Sequence, residues 1–178
     1  AFAKTIRPAL PAAKLWMVCN DAPAAPGVEV LGKLSTPDLA DRYRRAWIFC
    51  LPSSYEGFGV PYIEAMASGT PVVATPNPGA KEVLANGKFG IITPPDQLGQ
   101  TLLTLLQSPT ECARLTTLSL QRAQDFAWTT IAAQYESLYA QLLPRKTEPS
   151  TNLHQSTQML PLLTRAPSAT AATASPQE

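Results

Sequence analysis

The sequence predicts an α/β domain built on a doubly wound parallel sheet. Short apolar runs alternate with amphipathic helical segments through residues 1–143, and strands that alternate with helices form right-handed βαβ units. Two of the runs, residues 47–51 and 71–75, are apolar enough for strands that are covered on both faces. Sheets of this class bind ligands beyond the carboxyl ends of the strands, where the strand order reverses.

The first half of the domain is predicted from residues 1–51. The expected elements are a helix interrupted by prolines at 1–13, strands at 14–18 and 28–31, a helix that begins near residue 36, and the strand at 47–51. The second helix has Thr36 as its capping hydroxyl, Pro37 at its first position and Asp38 in its first turn. Its periodicity turns Leu39 and Tyr43 inward.

The second half is predicted from residues 60–143. A short helix opened by Pro61 precedes the strand at 71–75. Then follow a helix at 81–85 that ends at Asn86-Gly87, a strand at 89–93, an amphipathic helix at 96–107 and helices at 110–125 and 129–143. The helix at 96–107 is broken by Pro109, and its buried stripe is formed by four leucines: Leu98, Leu102, Leu105 and Leu106.

Length and composition exclude several classes of protein. The 178 residues, 45% hydrophobic and 15% charged, are enough for one domain with a sizeable core. A formal net charge of +1 predicts no binding of nucleic acid. No apolar run approaches the roughly 20 residues of a transmembrane segment.

Cysteine usage indicates the compartment. Cys19, Cys50 and Cys112 are widely spaced and odd in number, which favours buried free thiols over a disulfide framework or a metal site. We therefore expect a cytoplasmic protein, with peripheral association with a membrane as an option for the full-length chain.

The candidate site lies in residues 55–75. Gly57 and Gly59 let the backbone approach a bulky polar group, and the helix opened by Pro61 presents unpaired N–H groups that favour an anion such as phosphate. Glu56 and Glu64 carry carboxylates that accept hydrogen bonds from paired hydroxyls. The ligand indicated is a sugar attached to a nucleotide. An ordinary loop between strand and helix, with two solvated glutamates, remains the alternative.

This stretch resembles a known family. Residues 56–59 (EGFG) and 64–74 (EAMASGTPVVA) are similar to the E-x7-E signature of retaining glycosyltransferases with the GT-B fold, in particular the family 4 type. Three further segments follow in the family's order and spacing: 78–84 (PGAKEVL), 86–92 (NGKFGII) and 126–128 (FAW). The resemblance covers about residues 1–143. It implies a Rossmann-like sheet, the C-terminal donor-binding domain of a GT-B enzyme.

The resemblance implies a role for each residue of the motif. Glu56 is the catalytic carboxylate, which contacts the hydroxyls of the transferred sugar as the anomeric bond loosens. Glu64 holds the ribose hydroxyls of the nucleotide. Backbone amides of Phe58, Gly59 and Val60 face the sugar and the diphosphate.

Two further positions belong to the implied site. Gly57 is part of the substrate-binding loop, and the backbone of Leu34, after the strand at 28–31, contacts the base. Simple packing is the alternative for Leu34, and a core aromatic is the alternative for Phe58.

The implied reaction transfers a sugar from a nucleoside diphosphate sugar to an acceptor hydroxyl, with retention at the anomeric carbon. The acceptor would be a glycan, a lipid or a small molecule bound through an N-terminal domain that this sequence lacks. No D-x-D pair is present, so we expect neither a metal nor another cofactor.

The family also has a strand that this sequence lacks. It ends in a glycine-rich turn whose Arg and Lys clamp the donor diphosphate, and it would be the first and central strand, between those at 14–18 and 47–51. We therefore expect a sheet without its central strand, in a fragment, a truncated product or a chain completed by another polypeptide. Alone, such a chain should have little or no transferase activity.

Residues 144–178 are predicted to be a disordered low-complexity tail, because they are rich in Ser, Thr, Ala, Pro and Gln and lack periodicity. The tail contains His154, which we do not expect to be catalytic, and an apolar segment at 159–163 that could dock on a partner. Two other functions stay open: a degenerate nucleotide-sugar-binding module with a role in assembly or regulation, and another enzyme on the same fold, such as an epimerase or a phosphorylase.

Overall fold

Strands form within all five predicted apolar runs. The computed structural model describes residues 1–143, and its strands are β1 (Leu15–Met17), β2 (Val28–Val30), β3 (Phe49–Leu51), β4 (Val72–Ala74) and β5 (Ile91–Ile92). Each strand lies inside its predicted run and is shorter than it. The positions of the strands therefore agree with the sequence, and their ends do not.

Helical segments alternate with the strands. They are a π-helical stretch (Phe2–Ile6) that continues as α1 (Arg7–Ala9), then α2 (Thr36–Arg45), α3 (Val60–Ala67), α4 (Pro78–Val83), α5 (Leu98–Leu106), α6 (Pro109–Ala123), a 3₁₀ turn (Gln124–Phe126) and α7 (Trp128–Leu142). Proline occupies the first or second position of α2, α3, α4 and α6. Proline is well suited there because the first turn of a helix needs no N–H for internal bonding.

Three helix starts differ from the prediction because a polar side chain caps the helix earlier. The hydroxyl of Ser35, and not that of Thr36, accepts a hydrogen bond from the amide of Asp38 at the start of α2. Pro109 begins α6 behind a Ser108 cap, so it opens a helix as well as ending one. The α4 helix begins three residues before the predicted 81, because the Asn77 side chain caps it.

The parallel strands form two sheets. One sheet pairs β1 with β2, and the other has the order β3-β4-β5. Among residues 1–143 no strand pairs with β1 on one side and β3 on the other, the place predicted for the missing central strand. The α/β fold with parallel strands is confirmed.

The break in the sheet corrects one prediction. The run at 47–51 was expected to be a strand covered on both faces, but β3 is only half-buried, whereas all three residues of β4 are buried. The physical reason is that β4 has a strand on each side, while one edge of β3 has no neighbour among the described residues.

Two hydrophobic clusters cover the two faces of the larger sheet. Val72 and Ala74 of β4 pack into one cluster, together with residues of α2, α3 and α4. Val73 packs into the other, with Ile6 and the leucines of α5 and α6. Alternate residues of one strand thus point to helices on opposite faces, as a doubly wound sheet requires. The predicted stripe of α5 is buried at Leu98, Leu102 and Leu105, and only half-buried at Leu106.

The remaining predictions on cysteines and membrane segments have simple outcomes. Cys19, Cys50 and Cys112 are free but half-buried, so the expected full burial is wrong. Among the described helices, none has the length and apolarity to cross a membrane. The predicted tail at 144–178, with His154 and the apolar segment 159–163, lies outside the described residues.

Gly59 gives a test of the loop that joins β3 to α3. Its φ is +90°, and a Cβ at this position would lie 2.4 Å from the ring of the fully buried Tyr62. Left-handed backbone costs a residue with a side chain about 1–2 kcal/mol, and overpacking costs about 1–3 kcal/mol more. We expect Gly59→Ala to lower the free energy of unfolding by about 3 kcal/mol in urea denaturation.

Gly57→Ala is the matched control for this prediction. A Cβ at Gly57 meets no atom within 4 Å, and its φ is not positive. We expect a change of less than about 0.5 kcal/mol for this surface substitution. Equal losses for the two variants would contradict the described conformation of the loop.

Candidate functional site

The candidate site begins where β3 ends. Residues 52–59 connect the carboxyl end of β3 to the first residue of α3, and Glu56 lies in this connection. Because β3 and β4 are parallel, residues that follow β4 approach the same edge of the sheet. The loop that carries Glu56 is therefore within reach of the segment that joins β4 to α4.

Asn77 fixes the start of the Glu56 loop. Its side-chain nitrogen lies 3.2 Å from the carbonyl oxygen of Ser53, 3.0 Å from that of Thr75 and 3.1 Å from the Tyr62 hydroxyl. Its side-chain oxygen accepts a hydrogen bond from the amide of Ala80 at 2.8 Å. Asn77 is buried, so these bonds are shielded from water. The loop is thereby tied to the end of β4 and the beginning of α4.

Gly79 fixes the middle of the same loop. Its amide donates a hydrogen bond to the carbonyl oxygen of Glu56 at 2.9 Å. A Cβ at Gly79 would lie 2.6 Å from the carbonyl oxygen of Phe58 and 2.9 Å from that of Glu56. Only glycine allows the first turn of α4 to pack this closely against the backbone of residues 56–58.

Unpaired backbone amides lie at the start of α3. Within the described part of the chain, the amides of Phe58, Gly59 and Val60 donate no hydrogen bond, while the carbonyl oxygen of Gly59 accepts one from Tyr62 at 2.9 Å. Gly59 adopts the left-handed conformation at the N-cap, with φ of 90° and ψ of 51°. Adjacent free N–H groups at the positive end of a helix attract an anion.

Phe58 packs on the surface of the domain. Its ring meets the ring of Phe126 edge-on, with centroids 5.8 Å apart, and Arg122 stacks on the other aromatic ring at 4.6 Å. Phe58 is 46% exposed, so the alternative of a core aromatic is wrong. The Phe58 side chain thus packs the glycine loop against the 3₁₀ turn after α6, while the backbone amides of residues 58–60 stay free.

The charges of the two candidate carboxylates act on two tyrosines of one aromatic group. Glu64 accepts a hydrogen bond from the Tyr43 hydroxyl at 3.3 Å. Burial raises the pKa of the Tyr62 hydroxyl, the hydrogen bond with Asn77 lowers it, and the charge of Glu56 raises it further. Tyr43 and Tyr62 both meet Phe49 of β3 edge-on, with centroids 5.3 and 6.4 Å from it. In addition to burial, the charge of Glu56 therefore raises the pKa of Tyr62, and the charge of Glu64 raises the pKa of Tyr43.

The other predicted residues lie as follows. Gly57 is exposed and has open space around it, and the side chain of Val60 is 55% exposed. Leu34 is half-buried between β2 and the Ser35 cap of α2. Its backbone contact to a base stays a prediction, because Leu34 follows the smaller sheet and none of the contacts above includes it.

Sequence analysis missed the residues that hold the loop. Asn77 lies just before the segment 78–84 and Gly79 lies within it, but neither was given a role. Tyr43 was predicted only to face inward. The one available signal was the order Asn-Pro-Gly shortly after a predicted strand, which is typical of a capped helix start. The bond between Tyr43 and Glu64 joins residues 21 positions apart, and no local pattern indicates it.

Two grooves of the described residues lie away from the glycine loop. One of about 580 Å³ is bordered by α5 and the start of α6, and one of about 570 Å³ lies along α7. Neither is lined by Glu56 or Glu64. Among residues 1–143 no three His, Cys, Asp or Glu side chains come close enough together to hold a metal ion. The expectation that the reaction needs no metal stays a prediction.

Comparison with known proteins identifies relatives. An MMP alpha-(1->4)-mannosyltransferase of Mycolicibacterium hassiacum is 40% identical over 117 residues, which are 63% of this chain and 28% of the relative. The mannosylfructose-phosphate synthase of Agrobacterium fabrum is 37% identical over 60% of this chain and 24% of its own length. The chain thus spans about a quarter of the length of these two curated relatives.

Solved structures are also similar to this chain. A sucrose-phosphate synthase from Thermosynechococcus elongatus superposes with a TM-score of 0.59 and 34% identity, over 65% of this chain and 30% of that one. Anabaena HepE, solved in complex with UDP and glucose, superposes with a TM-score of 0.58 and 27% identity, over 65% of this chain and 32% of that one. Both resemblances support the GT-B fold that the sequence predicts.

A family model supplies the assignment. The model described as "Glycosyl transferases group 1" matches residues 19–119, which is more than half of the 178-residue chain. The match includes both carboxylates, the glycine loop and the two residues that anchor it. The resemblance stated from residues 56–74 is confirmed, and the chain belongs to the glycosyl transferases group 1 family.

Proposed function

We propose that this chain is the donor-binding part of a retaining glycosyltransferase that uses a nucleoside diphosphate sugar. The observation that carries the proposal is the group of unpaired amides of Phe58, Gly59 and Val60, which lies on the segment between Glu56 and Glu64. Donors for an anion and acceptors for hydroxyls thus occur within the nine residues 56–64. A nucleoside diphosphate sugar has both chemical groups in one molecule.

The diphosphate would bind at the amides. Three N–H groups at the positive end of α3 neutralise part of its charge without a side chain, and charge-assisted hydrogen bonds are stronger than neutral ones. The same donors also stabilise the charge that grows on the diphosphate as it leaves. HepE, which is similar to this chain and was solved with UDP and glucose, supports this class of ligand.

The carboxylates would bind the sugar and the ribose. Glu56, at the carboxyl end of β3, is the residue for the hydroxyls of the transferred sugar, and its position is fixed through the Gly79 amide. Breaking the bond between the anomeric carbon and the diphosphate builds positive charge on the sugar ring, which a nearby carboxylate stabilises. Glu64 would then accept the ribose hydroxyls.

Transfer by this chain alone is expected to be weak or absent. The aligned part is about a quarter of the length of each of the two curated relatives, so most of such an enzyme lies outside it. Removing one oxyanion donor from an enzyme costs about 3–4 kcal/mol of transition-state stabilisation. Without the contacts that the rest of the enzyme would add to the diphosphate, turnover would fall below measurable levels, while the amides would still bind the nucleotide.

Glu64→Ala tests the ribose contact. A hydrogen bond to a charged group contributes about 1.5–3 kcal/mol, so we expect the affinity for the preferred nucleotide among UDP, GDP and ADP to fall roughly 10- to 100-fold in calorimetry. Glu136→Ala, on the exposed surface of α7, is the control and should bind as the unchanged chain does. Unchanged binding by Glu64→Ala would contradict the assignment.

Val60→Pro tests the amide contact. Proline removes one of the three free N–H groups at a position where a helix tolerates it, whereas Val60→Ala shortens the exposed side chain and keeps the amide. We expect the affinity for nucleoside diphosphates to fall about tenfold in Val60→Pro and by less than about twofold in Val60→Ala. Circular dichroism verifies that both variants fold. Equal affinities would show that the diphosphate does not bind the Val60 amide and would contradict the proposed contact.

A further inference from the structure

Tyr43 is the residue that contacts the Glu64 carboxylate. It lies on α2, outside the glycine motif, and is 8% exposed. Its hydroxyl donates a hydrogen bond to Oε2 of Glu64 at 3.3 Å. Within residues 1–143 this carboxylate makes no ion pair and no other hydrogen bond. Tyr43 alone therefore restricts its orientation among the described residues.

Tyr43 is itself held firmly. Its carbonyl oxygen accepts a hydrogen bond from the Thr70 hydroxyl at 2.6 Å, and Thr70 is 2% exposed. Its ring packs edge-on against Phe49, with centroids 5.3 Å apart. Thr70 lies three residues after the end of α3, so the segment that carries Glu64 also anchors the residue that contacts it. Tyr43 is thus held through its backbone by Thr70 and through its ring by Phe49.

The protonation state suits this contact. Burial of the phenol, and then the charge of Glu64 and the hydrogen bond to it, raise the pKa of Tyr43 well above its ordinary value. The hydroxyl therefore stays protonated and acts as a donor across the physiological pH range. A bond to one carboxylate oxygen leaves the other oxygen of Glu64 free to accept a hydroxyl of a ligand.

We propose that Tyr43 is a positioning residue that orients the Glu64 carboxylate toward the ribose of the donor nucleotide. This inference rests on the proposed function, in which Glu64 accepts the ribose hydroxyls. It adds a residue of α2 to a site whose glycine loop and carboxylates follow β3. The contribution of Tyr43 is specific: it acts only where a ribose hydroxyl is present to be recognised.

The test compares UDP with 2′,3′-dideoxy-UDP, which lacks both ribose hydroxyls, in calorimetry of the 178-residue chain. Tyr43→Phe keeps the buried ring and removes the hydroxyl. We expect it to weaken UDP about fivefold to tenfold and to change 2′,3′-dideoxy-UDP by less than about twofold. In a Glu64→Ala background, Tyr43→Phe should have no further effect on UDP, since residues that act as a unit are not additive. Tyr139→Phe, an exposed tyrosine on α7, is the matched control.

A second variant keeps the test independent of the stability of Tyr43→Phe. Thr70→Val removes the hydrogen bond to the Tyr43 carbonyl but keeps the phenol, and we expect a smaller loss that is again confined to UDP. Equal losses for UDP and 2′,3′-dideoxy-UDP would overturn the positioning role and leave the proposed function intact. Failure of the folded, unsubstituted chain to bind any of UDP, GDP and ADP would overturn the proposed function, and this inference with it.

Discussion

The close contact between Gly79 and the backbone of residues 56–58 is the constraint on which the site depends. A hydrogen bond from the Gly79 amide holds the carbonyl of Glu56, and no side chain fits between α4 and the loop. Asn77 fixes the start of the same loop and caps α4 as well. Because these bonds use the backbone carbonyls, the amides of Phe58, Gly59 and Val60 stay available for a ligand.

The second determinant is the division of the parallel sheet. The glycine loop, Glu56 and Glu64 all follow β3, and the segment that anchors them follows β4, in the three-stranded sheet. Leu34 follows β2, in the other sheet. The Tyr43 hydroxyl links these parts, because α2 connects β2 to β3 and Tyr43 contacts Glu64 on α3. A ligand that contacted Leu34 as well as Glu56 would therefore bind residues that follow strands of both sheets.

Sequence analysis predicted the strands and the site motif because both depend on local patterns. Apolar runs located all five strands, and the spacing of Glu56, the glycines and Glu64 indicated the candidate site. Contacts distant in sequence were missed: Asn77 bonds to Ser53 across 24 positions, and Tyr43 to Glu64 across 21. The half-buried state of β3 was missed because an apolar run does not indicate whether its neighbouring strand is present. Helix starts differed where a polar side chain outside the predicted helix provided the cap.

A titration of the isotope-labelled chain with UDP, followed by the NMR shifts of its backbone amides, tests the central claim most directly. The account predicts that the largest changes occur at Phe58, Gly59 and Val60, whose N–H groups have no partner among residues 1–143. Smaller changes should follow at Glu64. Saturable changes confined to the groove between α5 and α6, with these three amides unmoved, would contradict it.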